Sequence, residues 1–251
     1  MFYTIKWTSW KKRFSFLFLI ALFFISTHFS STYIFSSVNQ AQHAGAITKS
    51  LSDDKLIALT FNVSWGDDMI MQILDILKEQ NIKATFFING EWALRNEEIA
   101  ELIISENHEV GLLGFLNESY ENKSNKEIEE DISNGVEALK KLDYDPVIFV
   151  RPPENKYNES VVKFIHSLGY QTVFWSLYAN VNKYDSVEKT GQHYADQLSS
   201  GDIILFLADD HLKNTPEVLT RIINEKKDQG YDFVTITELL SPADIEIDRI
   251  D

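Results

Sequence analysis

Leu56-Ile-Ala-Leu-Thr-Phe-Asn-Val63, followed at once by Ser64-Trp-Gly-Asp-Asp68, is the stretch on which the fold turns. A run without regular polar alternation reads as a strand buried on both faces. Asp67 and Asp68 then stand where acids complement the positive end of a helix dipole. Ile70, Ile73, Leu74 and Leu77 follow at helical spacing. One strand and one helix make a unit, and the unit repeats.

Apolar runs at 83–89, 108–114, 147–153, 170–176, 202–208 and 231–236 alternate with periodic segments carried by Ile99, Leu102 and Ile103, by Ile128, Ile132, Val136 and Leu139, by Val161, Val162 and Ile165, by Val187, Tyr194 and Leu198, and by Leu219, Ile222 and Ile223. Local signals agree. Ser124 with Glu127 forms a capping-box pattern, Thr215-Pro216-Glu217 reads as N-cap, N1 and N2, and Gly169 and Gly230 sit where a helix ends before the next strand. Strands separated by helices imply a parallel sheet covered on both faces. The expectation is a partial (β/α) barrel of about seven parallel strands, with an open doubly wound sheet as the alternative. In a barrel the functional residues belong at the C-terminal strand ends: 62–68, 89–92, 111–117, 151–155, 175–180 and 207–211.

The 251 residues include no cysteine, which excludes a thiol nucleophile, disulfides, Fe–S clusters and Cys-based zinc sites. The first 46 residues hold four bases (Lys6, Lys11, Lys12, Arg13) and no acid, leaving 19 bases against 38 acids, or −19, in the rest. So negative a surface repels phosphate, and nucleic acid is excluded as a partner. The apolar block from Phe14 to Ile25, with the moderately apolar residues after it, fits either a signal peptide or a membrane anchor. Ala44-Gly45-Ala46 lies far beyond the block for a cleavage site, and the basic charge before it places the N-terminus in the cytoplasm and the bulk outside. The expected division is a cytoplasmic basic stub at 1–13, an anchor or signal segment at 14–38, a linker at 39–55, the domain at 56–240 and an acidic tail at 241–251.

The segments LTFNVSWGDD, KATFFING, HEVGLLGFLNESY, VRPP, GYQTVFWS and GDIILFLADD, in this order and spacing, resemble the polysaccharide deacetylases, the NodB-homology carbohydrate esterases. They are most similar to the membrane-anchored, sporulation-associated branch of bacilli, whose first motif runs Thr-Phe-Asp-x-Ser-Trp-Gly. The resemblance implies removal of acetyl groups from chitin-like or peptidoglycan glycan, with a divalent metal such as zinc activating water. It also implies a cell-wall glycan as partner and an extracytoplasmic place at the membrane.

Matching the family residue by residue places Asn62 where the resemblance implies a general-base aspartate and Val63 at the adjacent metal-binding aspartate. Leu113 and Asn117 match the two metal-binding histidines. Leu207 matches the histidine that acts as general acid, and Tyr178 the aspartate that orients it. An amide cannot act as a general base, and leucine cannot hold zinc. No metal and no catalytic residue is therefore expected. Arg151-Pro152-Pro153, Trp65 and Trp175 are kept, and the resemblance makes Trp65, Arg151 and Trp175 candidate glycan-binding residues, with Trp92 beside them. Arg151, without its carboxylate partner, is expected to turn to Asp67, Asp68, Glu154 or solvent.

Two rival readings come from other classes. Asp67 and Asp68 with Asp209, Asp210 and His211 could form a relocated metal site or carboxylate pair, giving an active hydrolase. Alternatively, the acidic surface could dock a protein partner. His108, His166 and His193 read as surface or structural, and no nucleophile elbow, zincin, P-loop or dinucleotide fingerprint occurs.

Overall fold

The computed structural model describes residues 45–51, 53–156, 158–241 and 245–248. The basic stub and the apolar segment lie outside them. No helix among the described residues is long and apolar enough to cross a membrane.

The described order is β1 (Ala46–Ser50), β2 (Leu56–Val63), α1 (Asp68–Glu79), β3 (Thr85–Ile88), α2 (Gly90–Arg95), α3 (Glu97–Ser105), β4 (Glu109–Leu112), α4 (Asn125–Lys141) and β5 (Phe149–Val150). A 3-10 turn (Pro153–Asn155) follows, then α5 (Glu159–Ser167), β6 (Gln171–Thr172), β7 (Leu177–Tyr178), α6 (Val187–Gln197), β8 (Ile203–Leu207), α7 (Thr215–Asp228), β9 (Asp232–Val234), α8 (Ile236–Leu240) and β10 (Ile245–Asp248). Seven strands lie side by side in the order β6-β5-β4-β3-β2-β8-β7, all pairs parallel, and β9 lies parallel to the start of β2. This is the partial barrel of seven parallel strands that the repeat pattern predicts.

Strand alternation divides the core in two. Phe61 is in register with Phe86 of β3 and Phe206 of β8, and the three rings stack at 5.0 and 5.7 Å between sheet and helices. On the opposite face Ala58, Phe87, Leu113, Phe149, Val173 and Ile203 fill the barrel interior. Thr60 and Asn62 point to that interior, so the C-terminal end of β2 presents polar groups at the mouth of the barrel.

Two helix boundaries test the sequence signals. The capping box at Ser124 is present on both sides. Thr215, expected as an N-cap, is instead the first helical residue, with Asn214 before it and Pro216 in the first turn. Gly169 and Gly230 have φ of +93° and +81°, as helix-ending residues require.

The stretch read as a linker contains a strand. Residues 46–50 form β1, antiparallel to β10 within the stretch read as a tail. β1 bonds the barrel strands on two sides: Phe174 N–H donates to Ile47 O at 2.8 Å and Ser50 N–H to Gly201 O at 2.9 Å. Lys49 pairs with Asp202 at 2.9 Å. Gly201, at φ +81°, packs so closely on Ser50 that a side chain there would strike its carbonyl. The run at 170–176 also divides: β6 pairs with β5, whereas β7, just beyond, pairs with β8.

Candidate functional site

A cleft of about 170 Å³ opens at the C-terminal strand ends. Asn62 and Ser64 enter it from the end of β2, Leu113 and Asn117 from the loop after β4, Glu154 from the turn after β5, and Leu207 and Asp209 from β8 and its loop, while Trp65 forms one wall. Four of the positions singled out from the family pattern, Asn62, Leu113, Asn117 and Leu207, thus converge on one cavity.

Other expected residues do not join them. Val63 is the next residue after Asn62 on a strand and faces the opposite way, into the core between sheet and helices. Tyr178, at the end of β7, is exposed and is not a lining residue. Trp92 is 1% exposed, a core residue whose indole N–H donates to Gly66 O at 2.7 Å. Trp175 packs against Phe174 and over Arg151 and is not part of the cleft wall. Trp65, 59% exposed, is the aromatic side chain among those lining the cleft.

Arg151 corrects a further expectation. It does not turn to Asp67, Asp68, Glu154 or solvent but is fully buried in the barrel, with no carboxylate partner among the described residues. Its Nε donates to Val173 O at 3.0 Å, Nη1 to Asn62 Oδ1 at 2.8 Å and Nη2 to Phe174 O at 2.9 Å, while Thr60 Oγ1 accepts from both terminal nitrogens at 3.3 Å. The Phe87 ring lies 3.8 Å from the guanidinium carbon. Carbonyl and hydroxyl dipoles and an aromatic face replace the counter-ion, and burial pushes the guanidinium pKa well below its ordinary value.

The loop with Leu113 and Asn117 is set by a buried acid that the sequence patterns do not single out. Asp131 of α4 accepts from Phe115 N–H at 2.8 Å, Leu116 N–H at 3.0 Å and Tyr120 O–H at 2.5 Å. Burial and the adjacent Asp131 carboxylate hold the Tyr120 phenol protonated, its pKa raised.

The relocated acid group comes apart in the same way. Among the described residues, Asp67, Asp68 and Asp210 are the one set of three ligand-type side chains whose oxygens lie within 4.8 Å of one another. Both oxygens of Asp210 accept backbone N–H groups at the start of α1, from Asp67 at 3.2 Å and Met69 at 2.8 Å. Asp67, at the N-cap position, makes no side-chain capping bond, so the cap comes from a residue 143 positions away. Asp209 instead lines the cleft and pairs with His211 at 2.8 Å. Gly66 is the local sign of this arrangement: φ is +79°, and a Cβ would fall 2.4 Å from the Asp210 carboxylate. Asp210→Ala is expected to cost about 1–2 kcal/mol, the value of a lost cap, and Asp67→Ala less than half of that. Urea denaturation of both variants checks the order, and equal losses would contradict it.

The residues around Asn62 do not suit the divalent ion of deacetylases. Leu113 and Leu207 present hydrocarbon where ligand atoms would be needed, and no imidazole lines the cleft.

A polysaccharide deacetylase family model matches residues 49–173. A peptidoglycan-N-acetylglucosamine deacetylase of Bacillus cereus is 33% identical over 192 residues, covering 75% of this chain and 90% of that protein. Among solved structures, a wild-type family 4 carbohydrate esterase pseudoenzyme from Bacillus anthracis superposes with a TM-score of 0.73 at 28% identity, covering 80% of this chain and 70% of that one. A mutant of that pseudoenzyme, described as having restored enzymatic activity, gives 0.73 at 27% identity, covering 80% and 72%.

Proposed function

This chain belongs to the polysaccharide deacetylase family, and we propose that within it the protein is a catalytically inactive homologue that binds cell-wall glycan at the outer face of the membrane. The observation that carries this reading is the convergence of Asn62, Leu113, Asn117 and Leu207 on a single cleft. Deacetylation needs a metal to polarise the amide and activate water, a base to take a proton and an acid to give one. None of these four side chains can do any of the three. The similarity to a pseudoenzyme of the same fold supports the reading.

Recognition needs less than catalysis, since it does not depend on groups aimed at a transition state. Trp65 is exposed and flanks the cleft, so the apolar face of a sugar ring can stack on it, and Asn62, Ser64 and Asn117 supply hydrogen bonds to hydroxyls. With no metal anchoring the ligand, the affinity is weak, on the order of millimolar, or about −4 kcal/mol. Arg151 acts from behind, fixing Asn62 Oδ1 rather than touching glycan. Export and retention by residues 14–38 belong to the same proposal, and mass spectrometry of the mature N-terminus tests them.

Metal content measured with acetate release on the same sample tests inactivity. The expected result is substoichiometric zinc and no release from N-acetylglucosamine oligomers. Leu113→His combined with Asn117→His is expected to create tight zinc binding where the parent has none. Stoichiometric metal in the parent, lost on Asp210→Ala, would support the relocated site instead.

A further inference from the structure

We infer that the glycan recognised here is de-N-acetylated, its amino sugars carrying ammonium groups, in preference to the fully acetylated polymer. This rests on the glycan-binding reading above and names the chemistry the groove selects. Trp65 lines two clefts, the one of about 170 Å³ around Asn62 and a second of about 310 Å³ formed with Gly66, Asp67, Trp92 and Asp210. A chain of sugars stacked on the indole would reach into both.

The accessible ionisable groups of the two clefts are predominantly acidic. Glu154 and Asp209 line the first, and Asp67 and Asp210 the second, against Arg95 as the one cation at their walls. Arg151 lies behind the first cleft but is fully buried, and its nitrogens are already donating to Asn62, Thr60 and two backbone carbonyls. A neutral N-acetyl sugar laid over Trp65 would take water from Glu154 and Asp209 and offer no charge in return. An ammonium compensates both carboxylates and also gains from the indole face.

The present partners of these acids leave room for another. Lys156 pairs with Glu154 Oε2 at 3.1 Å and His211 with Asp209 Oδ1 at 2.8 Å, and the side chains of Lys156 and His211 are 59% and 79% exposed. Such surface pairs are weak and each uses one carboxylate oxygen, so a sugar ammonium can pair with the other oxygen of Glu154 or Asp209. Leu113 and Leu207 at the floor favour the opposite preference, since an acetyl methyl would fit against them, and the measurement below separates the two.

Trp fluorescence of the wild-type protein is titrated with chitotetraose in its fully acetylated and fully de-N-acetylated forms, at a pH where the amines are protonated. Two gained ion pairs of surface strength predict affinity about tenfold higher for the de-N-acetylated form. The advantage should shrink in about 0.5 M NaCl and vanish in the double variant Glu154→Gln, Asp209→Asn. The control, Glu129→Gln with Glu130→Gln on the exposed face of α4, should keep it. Equal or tighter binding of the acetylated form overturns the preference and leaves glycan binding standing. Equal losses in cleft and control variants reduce the effect to general attraction of a polycation and also overturn it. No response to either oligomer, or the same response in Trp65→Ala, overturns the glycan reading itself.

Discussion

Arg151→Ala is expected to remove most of the stability of the domain, whereas Asn62→Asp is expected to add to it. The guanidinium is fully buried and ties β2 to the segment after β6 through Asn62 Oδ1, Thr60 Oγ1, Val173 O and Phe174 O. Truncation takes a hydrogen bond with a charged donor from each of four buried acceptors and opens a cavity between Phe87 and Trp175. Such bonds are worth about 1.5–3 kcal/mol each and the cavity adds to that, so a loss of about 4–5 kcal/mol or more follows. That is comparable with the whole stability of many domains, about 5–15 kcal/mol. Lysine is no substitute, because an ammonium cannot reproduce the planar fork.

The effect of Asn62→Asp has the opposite sign. Burial without a counter-ion opposes the charged guanidinium, and a carboxylate at the position of Asn62 Oδ1, 2.8 Å from Nη1, supplies one. Replacing a neutral acceptor by a charged one strengthens such a bond by about 1 kcal/mol. Chemical denaturation of the three proteins in one buffer measures this. A less stable Asn62→Asp would mean that the dipoles around Arg151 already suffice and that the added charge only costs desolvation.

Much of this architecture can be read from the chain, for a physical reason. Parallel strands buried on both faces leave continuous apolar runs, and the helices between them leave a 3.6-residue period, so β2 to β6, β8 and β9 with α1, α4, α5 and α7 are visible as patterns. β1 is not. Ala-Ile-Thr-Lys-Ser in a polar stretch becomes a strand only because β10, nearly 200 residues away, and the barrel edge offer it hydrogen bonds. β7 is two residues long and carries no period of its own.

The site divides along the same line. Which residues replace base, ligands and acid can be read from motif positions. Which of them share a cavity depends on strand facing, and Val63 fails there because it follows Asn62 on a strand. The exposure of Trp65 against the burial of Trp92 is set by tertiary packing, as is the remote cap from Asp210, whose one local trace is a glycine at positive φ before two acids. Arg151 was expected to need a carboxylate or water, and carbonyls from the segment after β6 supply neither. Of the acids that give the clefts their charge, Glu154 lies outside every quoted motif segment.

Acidification is expected to destabilise the fold through His108 before general charge repulsion sets in. His108 stands just before β4 with 4% of its surface exposed. Its Nδ1 accepts from Ala84 N–H at 3.2 Å, which fixes the neutral tautomer with the proton on Nε2, and the ring meets Phe86 edge-on. Burial, aided by Lys83 and opposed by Glu106, lowers its pKa from 6.5 to about 4. The unfolded chain therefore binds this proton near pH 6.5, and the folded chain binds it only near pH 4. The contribution is complete above pH 6.5, falls as the pH drops toward 4, and does not fall further below that. The full shift corresponds to about 3 kcal/mol, of which about 2 is lost by pH 5. In His108→Leu the Ala84 N–H loses its acceptor, lowering stability at pH 7, but this slope between pH 7 and 5 should disappear. Urea midpoints of both proteins at several pH values decide the matter. An unchanged slope in His108→Leu would assign the acid sensitivity to other groups.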